Sequence, residues 1–298
     1  DVNANVIAAS RSIALLRDVV GHHEGVATAR TQAVGFEPSR PLTARSVLAT
    51  ALLGAPNGRL PVSHLVQAGR LLGIADGAVR TSLSRMVAQG ELSTSDGVYE
   101  LSGKLADRRH DIDGAVRPRP PGINWDGTWE IAVVRAGSRS AAQRHELRAA
   151  ATRLRLGALR DGCWARPTNL DRERHPGARS VIARQCLTFQ GAIADVIPAD
   201  VEQTFGLSEW AGKALRLNEA IEAQPAEVLS QPTSAQMRDR FLLLIAAARH
   251  LRTDPMLPDE LLTDDWPGER LRAAYDRLTQ TLRRYLEDAV TSGGAASS

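Results

Sequence analysis

Between Thr43 and Leu101 the apolar positions recur three times at helical spacing and then switch to a strand-like pattern. Val47, Leu48, Ala51 and Leu52 form the first stripe, with Thr43 placed to cap it and Gly54-Ala-Pro-Asn-Gly58 to end it. Leu60-Pro-Val62 suits a short edge strand. Ser63 is placed to cap a second helix with Leu65, Val66, Gly69 and Leu72 inward, closed by Gly73. Asp76 is placed to cap a third, with Val79, Leu83, Met86 and Val87 inward; Arg80, Thr81, Ser84 and Arg85 fall on its other face, and Gly90 closes it. Glu91 to Leu101 reads as a hairpin turning at Asp96-Gly97. Three helices and a hairpin predict a winged helix-turn-helix over residues 41–104, with the third helix as the recognition helix.

The pattern changes twice more. Residues 105–124 are charged and then rich in Pro and Gly (Arg117-Pro-Arg-Pro-Pro-Gly122), which reads as a linker. Residues 125–203 alternate short strands with a helix: a strand at Trp129 to Val134, and a helix at Ser140 to Leu156 with Leu147, Ala150, Ala151 and Leu154 inward. Strand-like pieces follow at Cys163–Arg166, Val181–Ala183 and Leu187–Ile193. Arg144, Arg148 and Arg155 share a stripe on that helix. Short strands around a helix suggest a ferredoxin-like α+β sandwich. Residues 204–298 read as helical, with good helices at Leu215 to Ala223, Met237 to Leu251 and Arg270 to Leu286. Breaks fall at Asp254-Pro-Met-Leu-Pro258 and Trp266-Pro-Gly268. The fold class is therefore α+β in three modules. Residues 1–40 are an extension of unassigned role, with a stripe at Ile7, Ile13, Leu16 and Val20 broken by Gly21-His-His-Glu-Gly25.

Charge divides the chain. Residues 41–104 carry six Lys/Arg against four acids and residues 125–200 twelve Arg against eight acids, whereas residues 201–298 carry eleven Lys/Arg against fifteen acids. A polyanionic partner is expected at the basic front. The longest apolar run, Phe241 to Ala248, is far short of the roughly 20 residues that span a bilayer, so no membrane partner is expected. The first residues lack a basic flank before an apolar core, so no secretory signal is read. Cys163 and Cys186 sit in strand-like runs with no metal-ligand spacing and are expected to be buried thiols in a cytoplasmic protein.

Catalytic patterns are sought without result. There is no glycine-rich phosphate loop and no dinucleotide fingerprint. His145-Glu146 begins like a zinc-protease helix, but Ala149 stands where the second imidazole belongs. Gly206-Leu-Ser208-Glu-Trp210 begins like a nucleophile elbow and ends in an indole where a glycine is needed. Neither an enzyme nor a metal or other cofactor is expected. On the third helix, Arg80 and Arg85 suit the O6 and N7 edge of guanine, and Thr81 and Ser84 suit phosphate or base edges. Arg45 and His64 are placed near the DNA backbone. The competing reading of such residues is a solvated helix face with surface ion pairs.

Three stretches carry a resemblance to the PaaX family, repressors of phenylacetic-acid catabolism, from about Arg40 to about Tyr275. The first is Leu72-Gly-Ile74 with Ala78-Val-Arg80-Thr-Ser-Leu-Ser-Arg85 and Gly90-Glu-Leu92. The second is Trp125 with Trp129-Glu-Ile-Ala-Val and Gly162-Cys-Trp164-Ala-Arg166-Pro167. The third and most specific is Asp254-Pro-Met-Leu-Pro258-Asp-Glu-Leu-Leu262 with Trp266-Pro-Gly268. The resemblance implies a winged helix, a ferredoxin-like middle domain and a helical end. It also implies a homodimer on double-stranded operator DNA, released by an aryl-acetyl coenzyme A or similar acyl-CoA effector. Such an effector needs cations beside apolar surface; Arg135, Arg144, Arg148 and Arg166 are the cation candidates, with Trp164 for an acyl slot. The chain departs from the pattern in its hairpin, Ser93 to Glu100, which has no Lys or Arg, and in its forward extension. The alternative function is a metal-dependent nuclease, or another enzyme, docked by the winged helix. Related small nucleases need an Asp after the first strand of the middle domain, where this chain has Val134-Arg135-Ala136.

Overall fold

Thr43 begins the first helix, α1 (Ala44–Gly54), as its spacing predicts. Its hydroxyl accepts the Ser46 N–H at 3.2 Å while Ser46 Oγ accepts the Thr43 N–H at 2.9 Å, a reciprocal cap. In this computed structural model, residues 42–116, 125–193, 198–224 and 233–295 are described. The stripe at 7–20, the His22–His23 pair and the run at 117–122 lie outside them. After α1 come β1 (Arg59–Pro61), α2 (Val62–Leu71), α3 (Asp76–Ala88), β2 (Leu92–Ser95) and β3 (Val98–Leu101). The three strands are antiparallel with β3 in the centre, Arg59 facing Glu100 and Leu92 facing Leu101. Asp96 and Gly97 both have positive φ, 51° and 75°, the pairing that a two-residue hairpin turn requires.

Two predicted caps are corrected. Pro61 precedes α2, so Ser63 lies inside its first turn, and Ala75 stands at the N-cap of α3 with no side-chain bond. Asp76 instead sits one position into α3 and receives the Arg70 guanidinium from the end of α2, Nε at 2.9 Å and Nη2 at 2.6 Å. That partner holds its carboxyl below the usual carboxylate range. The helices cross closely because position 69 is glycine: a Cβ there would lie 2.4 Å from Val79 Cγ2.

The predicted linker is corrected as well. Residues 103–116 form α4 (Gly103–Val116), which buries Leu105, Ile112 and Ala115. Those apolar positions are sparse among charges, so the stripe is hard to see in the sequence. Arg109 of α4 donates Nη1 to the carbonyls of Leu52 (3.3 Å), Leu53 (3.3 Å) and Ala55 (2.6 Å), satisfying the end of α1. Arg283 adds a bond to Gly54 O at 3.2 Å.

The middle domain runs β4 (Thr128–Val134), α5 (Ala141–Arg153), β5 (Gly157–Arg160), β6 (Cys163–Pro167), α6 (Pro176–Gln185) and β7 (Cys186–Ala192). Its sheet is antiparallel in the order β5-β6-β4-β7, the βαββαβ connectivity of a ferredoxin-like sandwich. Val181–Ala183, predicted as a strand, lies within α6. Pro176 opens that helix, and Ala178, Val181 and Ile182 form its buried stripe. The strand β5 was not anticipated. Arg155 falls beyond α5 at φ +59°, so it leaves the stripe of Arg144 and Arg148 and donates to Arg252 O. Cys163 and Cys186 are buried free thiols.

The last module comprises α7 (Pro198–Phe205), α8 (Leu207–Glu222), α9 (Ser234–Leu251) and α10 (Gly268–Ala295). Its core is continuous with the front of the chain: Val47, Ala68, Leu72 and Ala115 share one buried cluster with Trp210, Leu243, Leu271 and Tyr275. A second cluster lies within the front module and takes in Leu105 and Ile112 of α4, and a third belongs to the middle domain. Among the described residues no helix is long and apolar enough to cross a membrane.

Trp210 stacks between His250 (centroids 4.5 Å) and Trp266 (4.8 Å), and His250 Nε2 donates to Trp210 O at 2.9 Å. Burial pushes the His250 imidazole below its usual 6.5. The unfolded chain therefore binds this proton first, and its contribution to stability is lost as pH falls from 6.5 through the lowered folded value. His175, also depressed by burial, acts in the same direction. The urea midpoint should drop across that window, and His250→Gln should flatten the drop; an unchanged slope in the variant would refute the assignment.

Candidate nucleic-acid interface

The third helix has two unlike sides because its apolar residues recur at 79, 83 and 86. Val79, Leu83 and Met86 are buried against α1 and α2. Arg80, Thr81, Ser84 and Arg85 are all exposed on the opposite face. Among the described residues neither Arg80 nor Arg85 takes part in a side-chain hydrogen bond or a salt bridge within the chain. Ser84 Oγ donates to Arg80 O at 3.2 Å, so this hydroxyl has a partner in its own helix. The Arg70–Asp76 clamp fixes the turn that aims α3, and Gly69 sets how close α2 lies beneath it. The face is thus four polar side chains on a helix held from behind by packing and at its start by a bidentate ion pair.

The structure does not bring the other two predicted DNA contacts to that face as free groups. Arg45 is exposed but holds Glu91, with Nε 2.9 Å from Oε2 and Nη2 on Oε1. This carboxylate raises the Arg45 guanidinium still further above neutrality. His64 lies on α2 beside Ser63 (Nδ1 to Oγ 3.4 Å) and lines a cavity between the front and helical modules. The hairpin is acidic at its edges: Glu100 of β3 pairs with Arg59 of β1 at 3.6 Å.

The middle-domain candidates fall apart into two groups. Arg135, Arg144 and Arg148 are exposed, Arg135 just after β4 and the others on α5. Trp164 faces the helices, opposite Ala132, and is half-buried against the domain's own core. Arg166 is 1% exposed and lies toward the other end of the sheet, opposite Glu130. It donates to Pro167 O (2.9 Å), Leu154 O (2.9 Å), Asn169 Oδ1 (2.8 Å) and Met256 O (3.4 Å). Burial lowers its guanidinium to about 9. Its chemistry is structural: together with Asn169 it ties the middle domain to the loop at Asp254–Pro258. That loop is buried throughout. Asp254 accepts the Met256 N–H at 2.8 Å and pairs with Arg272, which also donates to Ala115 O at 2.9 Å. Among the described residues no three His, Cys, Asp or Glu side chains gather as a metal would need.

Comparison with known proteins matches three segments of the chain. Residues 43–105 match the PaaX-like protein family, residues 123–196 the PaaX protein central Cas2-like domain, and residues 208–291 the PaaX-like protein C-terminal domain. The chain belongs to the PaaX family. This family is known for transcriptional regulation. A solved structure, the uncharacterized protein Rv0674 from Mycobacterium tuberculosis, is similar at 35% identity, covering 84% of this chain and 99% of its own, with a TM-score of 0.67. No curated protein sequence matches the chain. Asp254–Pro258 lies within the third matched segment and Arg166 within the second, and the two meet as a joint between modules.

Arg166→Ala should cost about 3 kcal/mol by thermal or urea unfolding, because a buried cation and the carbonyls it serves lose their bonds together. Arg144→Ala and Arg148→Ala should stay within about 0.5 kcal/mol of the parent. Equal losses in all three would contradict the division drawn between them.

Proposed function

We propose that the chain is a sequence-specific regulator of transcription in which residues 43–101 form a winged helix-turn-helix and α3 enters the major groove of operator DNA. The observation that carries this reading is the open face of α3, where Arg80, Thr81, Ser84 and Arg85 project together with both arginines uncommitted. Arginine on such a helix reads guanine bidentately, for roughly 1–3 kcal/mol of discrimination per contact. The basic balance of the front and middle modules supports a polyanionic partner. The hairpin, which carries acids and no Lys or Arg from Ser93 to Glu100, supports a minor role for the wing, with affinity resting on α3 and the helix ends around it.

The regulator acts as a homodimer and a repressor, and an acyl-CoA-type effector releases it. Release requires the effector to bind an arrangement of the two reading heads that DNA does not accept, since equal affinity for both would shift nothing. Arg135, Arg144 and Arg148 are the exposed cations offered to its phosphates; Trp164 and Arg166 are committed to packing. Cleavage of nucleic acid, the alternative, calls for a carboxylate after β4, where Val134, Arg135 and Ala136 stand.

Selection of duplexes from a random library by the full chain tests the reading. The expected product is a palindrome with half-sites about 34–36 Å apart, or a multiple. Arg80→Ala should relax preference at one position per half-site, and parent binding should fall steeply with salt. Failure to enrich any duplex, or an unaltered preference in Arg80→Ala and Arg85→Ala alike, would overturn it.

A further inference from the structure

Where the front module meets the helical module the shared core is incomplete. A cavity of about 270 Å³ remains between α1, β1 and α2 on one side and α9 and α10 on the other. This lies near the lower end of the roughly 300–1,000 Å³ typical of small-molecule sites. Ala51, Leu60, Phe241, Leu244, Leu282 and Leu286 give it an apolar wall. Gly54 and Thr279 lie side by side in its lining: a Cβ at Gly54 would meet Thr279 Cγ2 at 3.8 Å, an ordinary contact with no clash.

One wall is cationic. Arg283 lines the cavity, and its Nε is buried with no acceptor, although its Nη2 serves Gly54 O at 3.2 Å. A buried donor without a partner is costly and rare in folded proteins. Arg59 and His64 also line the cavity; Arg59 is answered at 3.6 Å by Glu100, and Glu287 is the carboxylate among the lining residues. An apolar cavity with Arg59, His64 and Arg283 in its lining suits a compact molecule with a hydrocarbon body and one anionic end.

We propose that this junction cavity is a binding site for a small apolar carboxylate, with the hydrocarbon against Leu244 and Leu282 and the carboxylate drawn to the positive charge of Arg283 in its lining. The site is separate from the middle-domain cations and needs no assumption about DNA. Its occupant would touch α1, β1 and α2 of the front module and α9 and α10 of the helical module at once.

Octanoate is the probe, with 1-octanol as its neutral counterpart, titrated calorimetrically into the full chain without DNA. Octanoate should bind once per chain and at least about tenfold more tightly than 1-octanol. Gly54→Leu should abolish octanoate binding, and Arg283→Gln should bring the two ligands to similar affinity. Methyl NMR of the unaltered chain reads the site without any substitution, and octanoate should shift the Leu60, Leu244 and Leu282 methyls. No octanoate binding at millimolar concentration, or shifts confined to other methyls, overturns the proposal. So does a folded Gly54→Leu chain that binds octanoate as the parent does.

Discussion

The last turn of α1 presents carbonyls that no residue of that helix can satisfy, and the arrangement of the chain follows from how they are met. Arg109 reaches Leu52, Leu53 and Ala55 from α4, and Arg283 reaches Gly54 from α10. Hydrogen bonds from a cation to helix-end carbonyls gain from the helix dipole as well as from charge. Two helices distant in sequence are thereby fixed to one helix end. Helix α3 rests on α1, so its orientation is set partly by arginines some 30 and 200 residues away.

Arginine does three different jobs in this chain, and composition cannot tell them apart. Arg80 and Arg85 stand free on a helix face. Arg45, Arg70 and Arg179 are spent on carboxylates: Glu91, Asp76 and Glu130. Arg109, Arg155, Arg166 and Arg272 serve backbone carbonyls, the last three across seams between modules. The planar, always-charged guanidinium suits that last task because it offers several donors in fixed directions. An excess of Arg over acid in residues 125–200 is therefore only partly a surface property.

The order of the front-module elements was legible because its apolar stripes are strong and its turns carry Gly, Pro and Asp-Gly. The face of α3 was legible for the same reason, since residues opposite a buried stripe must point outward. What the pattern hid was whatever depends on partners far along the chain. The helix at 103–116 buries only Leu105, Ile112 and Ala115, and its charges look like a linker until Arg109 is seen to have carbonyls to serve. Arg166 and Trp164 read as ligand contacts because strand alternation does not say which face a later helix will cover. Val181–Ala183 reads as a strand because a short apolar run does not by itself distinguish a strand from the buried stripe of a helix. The cavity beside Arg283 joins residues 50–64 to residues 241–287, which no local signal connects.

The three family segments are not three bodies. Val47, Ala68 and Leu72 are buried by residues beyond 210, so the first segment and the last form one core with the middle domain spliced between them. On a ribosome the amino end emerges with part of its apolar surface still waiting for helices not yet made. The βαββαβ insertion, whose core is its own, can close while synthesis continues. The front module thus matures late, once helix α10 has been released and has delivered Arg283 to the end of α1.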